Sequence, residues 1–244
     1  MNKRRDNVPF DPYYFEKLAS KGITFLLADT FSHIFQTNHW CGSDSVSGEG
    51  AARRQTQQIE AELPALLKTL QVDVLLDLPC GDFSWMQFVD LPISRYIGAD
   101  IVPELIALNQ KRYNALQRVK PYCQRYEFVT LDLTSEPLPK ANLLLCRDCF
   151  VHFSIADIYS ALNNIKRSQI TYLLTTTFPD CDENEDIKTG DWRLLNLEKP
   201  PFNFPTPLRL INEQCSESGV LYRDKSLGLW LLEDIPQQAT SANS

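Results

Sequence analysis

The sequence lacks long apolar runs and an excess of positive charge. A membrane-spanning helix needs about 20 apolar residues, and the apolar stretch Ile23–Phe31 is much shorter than that. No apolar segment follows the basic residues Lys3, Arg4 and Arg5, so we expect no signal peptide. The 24 lysines and arginines are outnumbered by 31 aspartates and glutamates, which argues against a dominant nucleic-acid surface. We therefore expect a cytoplasmic protein with no membrane or nucleic-acid partner.

The cysteines do not have the pattern of a disulfide framework or a zinc site. They number seven, an odd count, and their irregular spacing indicates free thiols in a reducing compartment. Cys146 and Cys149 match C-x-x-C, but one pair without a second pair of ligands is weak evidence for zinc. The pair also lacks the strand–turn–helix position of a redox dithiol. We expect no metal.

Length and composition predict one well-buried domain with an elaboration. The chain has 244 residues, of which 43% are hydrophobic and 23% charged, ordinary values for a globular protein. Residues 1–69 read as short helices, a loop rich in glycine and serine, and an amphipathic helix, while residues 70–236 form the core. A proline-rich insert at 178–207 is too long and irregular for a simple connection. The polar tail 237–244 is expected to be disordered.

The stretch Val72–Asp100 has the pattern of a nucleoside-binding α/β unit. It opens with an apolar run, Val72–Leu78, which is typical of a parallel strand buried on both faces. The turn Pro79–Phe83 breaks this run, and about twenty residues later Arg95–Asp100 reads as a second strand that ends in an acid. That acid can accept hydrogen bonds from both ribose hydroxyls, and Gly81 lets the backbone approach a ligand closely.

The scarcity of glycine in this turn bears on the identity of the ligand. A dinucleotide usually needs the three glycines of G-x-G-x-x-G to hold its pyrophosphate, whereas Gly81 is the only glycine of the turn. Asp77 and Asp82 add negative charge that opposes phosphate binding. S-adenosylmethionine has no phosphate and brings an ammonium, a sulfonium and one carboxylate, so an acidic turn suits it better.

At these residues the sequence resembles the class I S-adenosylmethionine-dependent methyltransferases. Leu75–Phe83, which reads LLDLPCGDF, is similar to their first motif, usually written V-L-D-L-G-C-G-x-G. Pro79 and Phe83 replace two family glycines, which suggests a differently shaped turn. The resemblance implies an α/β fold with a doubly wound, mostly parallel seven-stranded sheet of the Rossmann-like type and an N-terminal helical cap.

The other strands of this sheet can be placed from short apolar runs. The last two are expected to form a terminal antiparallel hairpin. The five strands are predicted at Tyr126–Leu131, Ala141–Cys146, Ile170–Thr177, Leu208–Ile211 and Leu227–Leu232.

Helix signals lie between these strands and before the first one. Pro103 suits the first position of a helix that runs to about Val119. Ser154 can cap the next helix, since Asp157 follows three positions later. In the N-terminal block, Pro64 should kink or restart the last helix. The three helices of that block are predicted at Tyr13–Ser20, Ile23–Phe35 and Ala51–Leu70.

The resemblance implies a set of cofactor contacts at the carboxyl edge of the sheet. Asp100 would bind the ribose, unless it is a solvated loop acid or a helix cap. Asp132 would contact the exocyclic amine of adenine and the Leu133 amide a ring nitrogen, although a plain turn acid is an equal alternative. Asp77 would orient the turn or meet the methionine ammonium, unless it only caps. The full set is Asp77, Pro79, Cys80, Gly81, Asp82, Asp100, Ile101, Asp132, Leu133, Arg147, Trp40 and Ser47.

The stretch Trp40–Gly50 is rich in glycine and serine and cannot be regular structure. The amides and hydroxyls of Ser45 and Ser47 could hold the methionine carboxylate while Trp40 covers the cofactor. An ordinary surface loop is the alternative.

Two candidate bases, Asp148 and His152, follow the fourth predicted strand. The resemblance places both near the reactive methyl group. A histidine with a pKa of about 6.5 can take a proton at neutral pH, and a base matters when the acceptor is a hydroxyl. A packed histidine that bonds a backbone carbonyl is the alternative for His152.

The acceptor site is expected in the proline-rich insert, where Trp192 and Arg193 are the candidate substrate ligands. Arg193 could pair with a carboxylate or phosphate of the acceptor, although a surface or packing role would also explain it. The implied reaction is methyl transfer from S-adenosylmethionine to an oxygen or nitrogen of a small molecule or glycan precursor. An NAD-dependent oxidoreductase and a non-catalytic nucleoside-binding module of the same fold remain alternatives.

Overall fold

A seven-stranded sheet forms the centre of the molecule. The structure is a computed structural model that describes residues 8–113, 123–217, 219 and 221–237. The strand order is β3-β2-β1-β4-β5-β7-β6. Pairs β1–β2, β2–β3, β1–β4 and β4–β5 are parallel, whereas β7 is antiparallel to both β5 and β6. The strands are β1 (Val74–Asp77), β2 (Arg95–Asp100), β3 (Arg125–Thr130), β4 (Leu143–Cys146), β5 (Tyr172–Thr177), β6 (Arg209–Asn212) and β7 (Ser226–Leu231).

This sheet confirms the predicted doubly wound, mostly parallel architecture and its terminal antiparallel pair. The chain runs outward from β1 through β2 to β3 and then returns to the other side of β1 with β4 and β5. The carboxyl ends of β1 and β4 therefore flank the switch point, where such sheets bind their ligands. Both strands are almost fully buried, which explains why their sequences are continuous apolar runs.

Five helices accompany the sheet in the described residues. Helix α5 begins as predicted, because the Ser154 hydroxyl accepts a hydrogen bond from the Asp157 amide. Its buried face includes Ile158, Leu162 and Ile165. The helices are α1 (Tyr14–Ala19), α2 (Leu27–Thr37), α3 (Arg53–Thr69), α4 (Pro103–Tyr113) and α5 (Ile155–Arg167).

Helices α3 and α4 have bounds that bear on two predictions. Helix α3 contains Pro64 in its interior and continues through it, so the predicted restart does not occur; burial of Ile59, Leu63, Leu66 and Leu67 stabilises the helix around the proline. Helix α4 was expected to reach about Val119, but the end of that prediction lies outside the described residues. The tail 238–244 also lies outside them.

The proline-rich insert packs against the N-terminal helices. Between 178 and 207 the insert has no helix or strand beyond an isolated bridge at Thr189 and Asp191. The Asp191 carboxylate accepts hydrogen bonds from the Phe15 and Glu16 amides, at 2.7 and 3.0 Å, and so caps the start of α1. No helix of the described residues has the length and apolar character needed to cross a bilayer.

Candidate functional site

A cavity lies at the switch point of the sheet. It is lined by the turn after β1, the acids at the ends of β1 and β2, the residues after β3 and β4, and two segments of the N-terminal block. All twelve residues predicted to bind the cofactor line it. The lining residues include Asp77, Pro79, Cys80, Gly81, Asp82, Asp100, Ile101, Asp132, Leu133, Arg147, Trp40 and Ser47.

The glycine turn closes onto the acid at the end of β2. The Gly81 amide donates a hydrogen bond to Oδ2 of Asp100 at 3.2 Å. Gly81 has a φ of +54°, and a Cβ atom built on it would lie 2.2 Å from Oγ of Ser47. Both the left-handed backbone conformation and the close approach of the serine loop therefore favour glycine at this position.

Asp100 is held with its carboxylate in the cavity wall. Its Oδ1 atom accepts a hydrogen bond from the Val102 amide at 3.0 Å, so it does cap the approach to α4 as well as lining the cavity. The residue is buried, and burial raises the pKa of its carboxyl to about 6, partly offset by the backbone amides. A ligand that donates hydrogen bonds to this carboxylate would favour the ionised form.

Asp77 is buried under the same turn. Its Oδ2 atom accepts a hydrogen bond from the Tyr96 hydroxyl at 2.6 Å. Burial raises the pKa of its carboxyl to about 7, although Tyr96 and Arg147 oppose that rise. A cation placed nearby would lower this pKa and recover the cost of ionising a buried acid.

The structure explains why Phe83 can stand where the family motif has a glycine. Phe83 keeps the left-handed backbone expected of a glycine, with a φ of +58°, which costs free energy for a bulky residue. Its side chain is buried and packs against Tyr96, Tyr113 and Phe128, with ring centroids 4.9 to 5.2 Å away. Burial of the ring in this aromatic cluster offsets the strain.

Asp82 anchors the serine loop to the glycine turn. Its Oδ1 atom accepts a hydrogen bond from the Ser45 hydroxyl at 2.9 Å, and its Oδ2 atom accepts one from the Val46 amide at 3.1 Å. The Ser47 amide in turn donates to Oγ of Ser45 at 3.0 Å. Ser45 and Val46 thus attach the Trp40–Gly50 stretch to the glycine turn, and its role in covering a cofactor stays a prediction.

The residues after β3 also line the cavity. Both oxygens of Asp132 accept local hydrogen bonds, from the Thr134 amide and hydroxyl at 2.7 Å and from the Ser135 hydroxyl at 2.8 Å. This is the turn role weighed as the alternative, and it leaves the acid less free to meet a base. Leu133 is buried and lines the cavity.

A buried ion network surrounds Asp148. The Arg147 guanidinium forms two hydrogen bonds with Glu213, at 3.0 and 2.7 Å, and a third with the Gly50 carbonyl at 2.8 Å. Asp148 accepts a hydrogen bond from Lys225 Nζ at 2.7 Å and lies 3.1 Å from Arg147 Nη1. Arg147 and Lys225 hold the pKa of the Asp148 carboxyl well below its usual range despite its burial, which makes it a poor base.

His152 was predicted to be either a general base or a packed residue that bonds a backbone carbonyl, and its contacts are compatible with both. Its Nδ1 atom is 3.0 Å from the Asp191 carbonyl oxygen, which only an N–H can satisfy, so Nε2 carries the lone pair. Burial lowers the pKa of its imidazole to about 4. The ring packs on Trp40 with a centroid separation of 4.6 Å. The histidine is therefore both packed against a carbonyl, as the alternative holds, and available as a neutral base in the cavity wall.

A second cavity of about 440 Å³ adjoins the first. The two share Trp40, Ser47, Asp148 and His152 as lining residues. Trp192 from the insert also lines this second cavity, and its role as an acceptor ligand stays a prediction.

Arg193 does not take the role predicted for it. The residue is buried, and its guanidinium donates hydrogen bonds to the carbonyls of Phe150, Phe153 and Glu185 at 2.6 to 3.2 Å. These bonds fix the short 3-10 turn that carries His152. Arg193 is absent from the lining of both cavities, so the packing alternative is the correct one.

Sequence reasoning missed several residues of the site. Glu213, Glu217 and Lys225 all lie in the segment between β6 and β7, far along the chain from Arg147 and Asp148. No local motif marks them.

No family model and no curated protein matches the chain. Solved structures similar to it include magnesium protoporphyrin IX methyltransferase from Synechocystis PCC 6803 with bound S-adenosylmethionine, at 16% identity, 69% and 83% coverage of the two chains, and a TM-score of 0.47. The methyltransferase domain of bacterial CtHen1 is similar at 12% identity and a TM-score of 0.44. The match covers 50% of this chain and 66% of the CtHen1 chain, slightly less than two thirds of its length.

A third similar structure is an S-adenosylmethionine-dependent methyltransferase from Clostridium acetobutylicum, at 12% identity, 65% and 64% coverage, and a TM-score of 0.43. The seven-stranded sheet with an antiparallel β7 is the architecture that the first motif implied. The acidic glycine turn lies at the switch point of this sheet. The strand order and the position of the turn therefore establish a doubly wound, Rossmann-like sheet, which is the fold that the resemblance of the first motif implied.

Proposed function

We propose that the protein is a methyltransferase that uses S-adenosylmethionine and acts on an oxygen or nitrogen of a small molecule or glycan precursor. The observation that carries the proposal is the pairing of two cavities at the switch point. One is lined by the acidic glycine turn and Asp100, the other by the insert, and His152 lines both. A cofactor and an acceptor could thus meet at a histidine.

The residues of the first cavity fit S-adenosylmethionine. The carboxylate of Asp100 would accept hydrogen bonds from the ribose hydroxyls, and the buried Asp77 would face the methionine ammonium. Gly81 leaves room for close approach at the turn, and Ser47 and Trp40 would cover the ligand. Bound S-adenosylmethionine supplies a methyl group activated by the positive charge of its sulfonium.

The chain itself would contribute position and a proton acceptor. Holding the acceptor atom in line with the methyl group supplies most of the catalysis in such a transfer. His152 would take the acceptor proton on Nε2, since Nδ1 is engaged with the Asp191 carbonyl. Asp148, the second candidate base, is paired with Lys225 and Arg147. It would therefore influence the reaction through the electrostatic field of this ion network and would not take the proton itself.

Two alternatives can be weighed against this geometry. An oxidoreductase would need space for a pyrophosphate at the glycine turn, where Asp82 and the Ser45–Ser47 segment already meet. A non-catalytic nucleoside-binding module would not need the second cavity beside His152.

Equilibrium binding tests the cofactor, and a transfer screen tests the reaction. We expect S-adenosylhomocysteine to bind in a calorimeter and to raise the melting temperature by mass action, while NAD(H) gives no heat of binding. Labelled S-adenosylmethionine should then transfer its methyl group to compounds in metabolite or glycan pools. Absence of S-adenosylhomocysteine binding to the unaltered protein would falsify the proposal, and binding without transfer would favour the non-catalytic module.

A further inference from the structure

The second cavity has a wall of aromatic side chains to which the proposed methyl transfer gives no role. The rings of Trp192 and Tyr222 are 5.0 Å apart at 62°, and the Phe178 ring meets Trp192 edge-on at 6.2 Å and 90°. All three residues line the cavity. The face of an aromatic ring carries negative potential, so this wall suits a ligand that presents weakly positive C–H groups.

Most charges of this cavity are already paired within the protein. Arg54 forms an ion pair with Glu49, and Lys225 forms one with Asp148 at 2.7 Å. Glu217 has no such partner: its Oε1 atom is buried and makes no hydrogen bond within the part of the chain that the structure describes. Burial raises the pKa of this carboxyl, and Lys225 opposes the rise without forming a hydrogen bond to Oε1.

A second buried polar atom of the cavity walls has no hydrogen-bond partner among the described residues. Nε1 of Trp40 is buried and donates no hydrogen bond to any described residue. The indole N–H can only donate, whereas a carboxylate oxygen can only accept. Unpaired buried groups are costly, so a ligand that satisfies both would bind preferentially. Such a ligand must offer both an acceptor and a donor.

We propose that the acceptor is a neutral polyhydroxylated compound of the sugar class, that the methyl group goes to one of its hydroxyl oxygens, and that Glu217 is a specificity-determining residue. This inference rests on the proposed methyltransferase function. A hydroxyl both donates and accepts, so neighbouring hydroxyls can serve Glu217 and Trp40 together. An ammonium offers only donors and a carboxylate only acceptors, so neither serves both atoms. The C–H face of a sugar ring would lie on the aromatic wall.

Methyl transfer to a hydroxyl needs only S-adenosylmethionine and a proton acceptor. A bond forms between the acceptor oxygen and the methyl carbon, and the bond between that carbon and sulfur breaks with its electron pair left on sulfur. The hydroxyl proton passes to Nε2 of His152, which is neutral at physiological pH because burial lowers its pKa. The products are a methyl ether and S-adenosylhomocysteine.

A matched panel of acceptors tests the substrate class. Purified protein with labelled S-adenosylmethionine is offered neutral methyl glycosides and oligosaccharides, amino compounds, and carboxylic acids of similar size. We expect label on hydroxyl oxygens of members of the first set only. Transfer confined to amines or carboxylates, or no transfer to any polyhydroxylated compound by protein that binds S-adenosylhomocysteine, overturns the inference. Protein that binds no S-adenosylhomocysteine instead contradicts the proposed function.

Variants at Glu217 test its role with the best glycoside of that panel. Glu217→Ala should raise KM for the glycoside roughly tenfold to a hundredfold, with little change in kcat or in S-adenosylhomocysteine affinity. Glu217→Gln, which preserves the shape, should give a smaller rise and serves if the alanine variant unfolds. Glu233→Ala is the control, because Glu233 is exposed and lines neither cavity. An unchanged KM in both Glu217 variants contradicts the assigned role.

Discussion

The Nδ1 atom of His152 lies 3.0 Å from the backbone carbonyl oxygen of Asp191. A second hydrogen bond joins the same two segments, the turn after β4 and the insert, because the Gly190 amide donates to the His152 carbonyl at 2.8 Å. The insert therefore sets the tautomer of the imidazole and its orientation between the two cavities. This contact links the proline-rich segment to the chemistry, even though the segment has almost no regular secondary structure.

Replacement of His152 by alanine should lower turnover far more than cofactor affinity. A positioned general base contributes about 10²–10⁴ in rate, so His152→Ala should reduce kcat by that factor while S-adenosylhomocysteine binds nearly unchanged. Because burial lowers the pKa of His152 to about 4, the acidic limb of the wild-type rate profile should lie near pH 4, and it should be lost in the variant. Asp148→Asn would give this pattern instead if Asp148 were the base. A lower melting temperature with normal turnover per folded molecule would make His152 a packing residue.

Cofactor affinity should depend on Asp100 and on pH. The ribose is proposed to bind the ionised carboxylate, and burial raises the pKa of Asp100 to about 6 in the free protein. Affinity for S-adenosylhomocysteine should therefore fall as the pH drops below about 6, where the carboxyl is protonated before binding. Asp100→Ala should weaken binding by about 1–3 kcal/mol at pH 8 and remove the part of the pH dependence that arises from Asp100. Calorimetry from pH 5 to 8 measures both effects.

The control for this experiment is Asp73→Ala. Asp73 is exposed and lies just before β1, at the opposite edge of the sheet from the cavity. Its replacement should leave both the affinity and its pH profile unchanged. Equal losses in the two variants would show that Asp100 acts only through stability. Burial also raises the pKa of Asp77, to about 7, so some loss of affinity below pH 7 should persist in Asp100→Ala.

The sequence predicted the elements whose signals are local. Strand β2 has the bounds that were expected from its apolar run and terminal acid, and Ser154 caps α5 as its spacing to Asp157 indicated. The glycine turn was located because its residues are adjacent in the chain. The twelve cofactor contacts that the family resemblance implied all line one cavity.

The rest depends on contacts between distant segments, which no local pattern encodes. Arg193 was expected to bind a ligand, but carbonyls of the turn after β4 surround its guanidinium. Asp148 was expected to be a candidate base, but Lys225, 77 positions away, neutralises it. Pro64 was expected to kink or restart α3, yet the helix continues through it without a restart. Burial and pairing decide these roles only once the chain has folded.

The serine loop should exchange its amide hydrogens faster when its anchor is removed. Asp82 accepts hydrogen bonds from the Ser45 hydroxyl and the Val46 amide, so Asp82→Ala should speed exchange across 40–50. S-adenosylhomocysteine should slow exchange in the same stretch of the wild-type protein, since a bound carboxylate gives its amides a partner. Equal exchange with and without the ligand would leave this stretch as an ordinary surface loop. Asp44→Ala is the control, because Asp44 is exposed in the same loop.

The buried ion network should contribute more to stability than an exposed pair of the same chemistry. Glu213 is 2% exposed and compensates both Arg147 and Lys225, at 2.7 and 3.4 Å. Glu213→Gln removes one charge and leaves two buried cations with Asp148 as their main partner. Breaking a buried pair in this way costs about 3–5 kcal/mol, so the free energy of unfolding in urea should fall by that amount.

The exposed pair between Arg209 and Glu62 is the matched comparison for Glu213→Gln. Its donor and acceptor atoms are 2.6 Å apart, but the side chains are 44% and 27% exposed, so water and salt screen the attraction. Arg209→Ala should cost at most about 1 kcal/mol, and 1 M salt should remove most of that cost. The Glu213 loss should persist in salt, because the network is shielded from solvent. Equal losses in the two variants would show that the network holds the cavity wall no more firmly than a surface contact does.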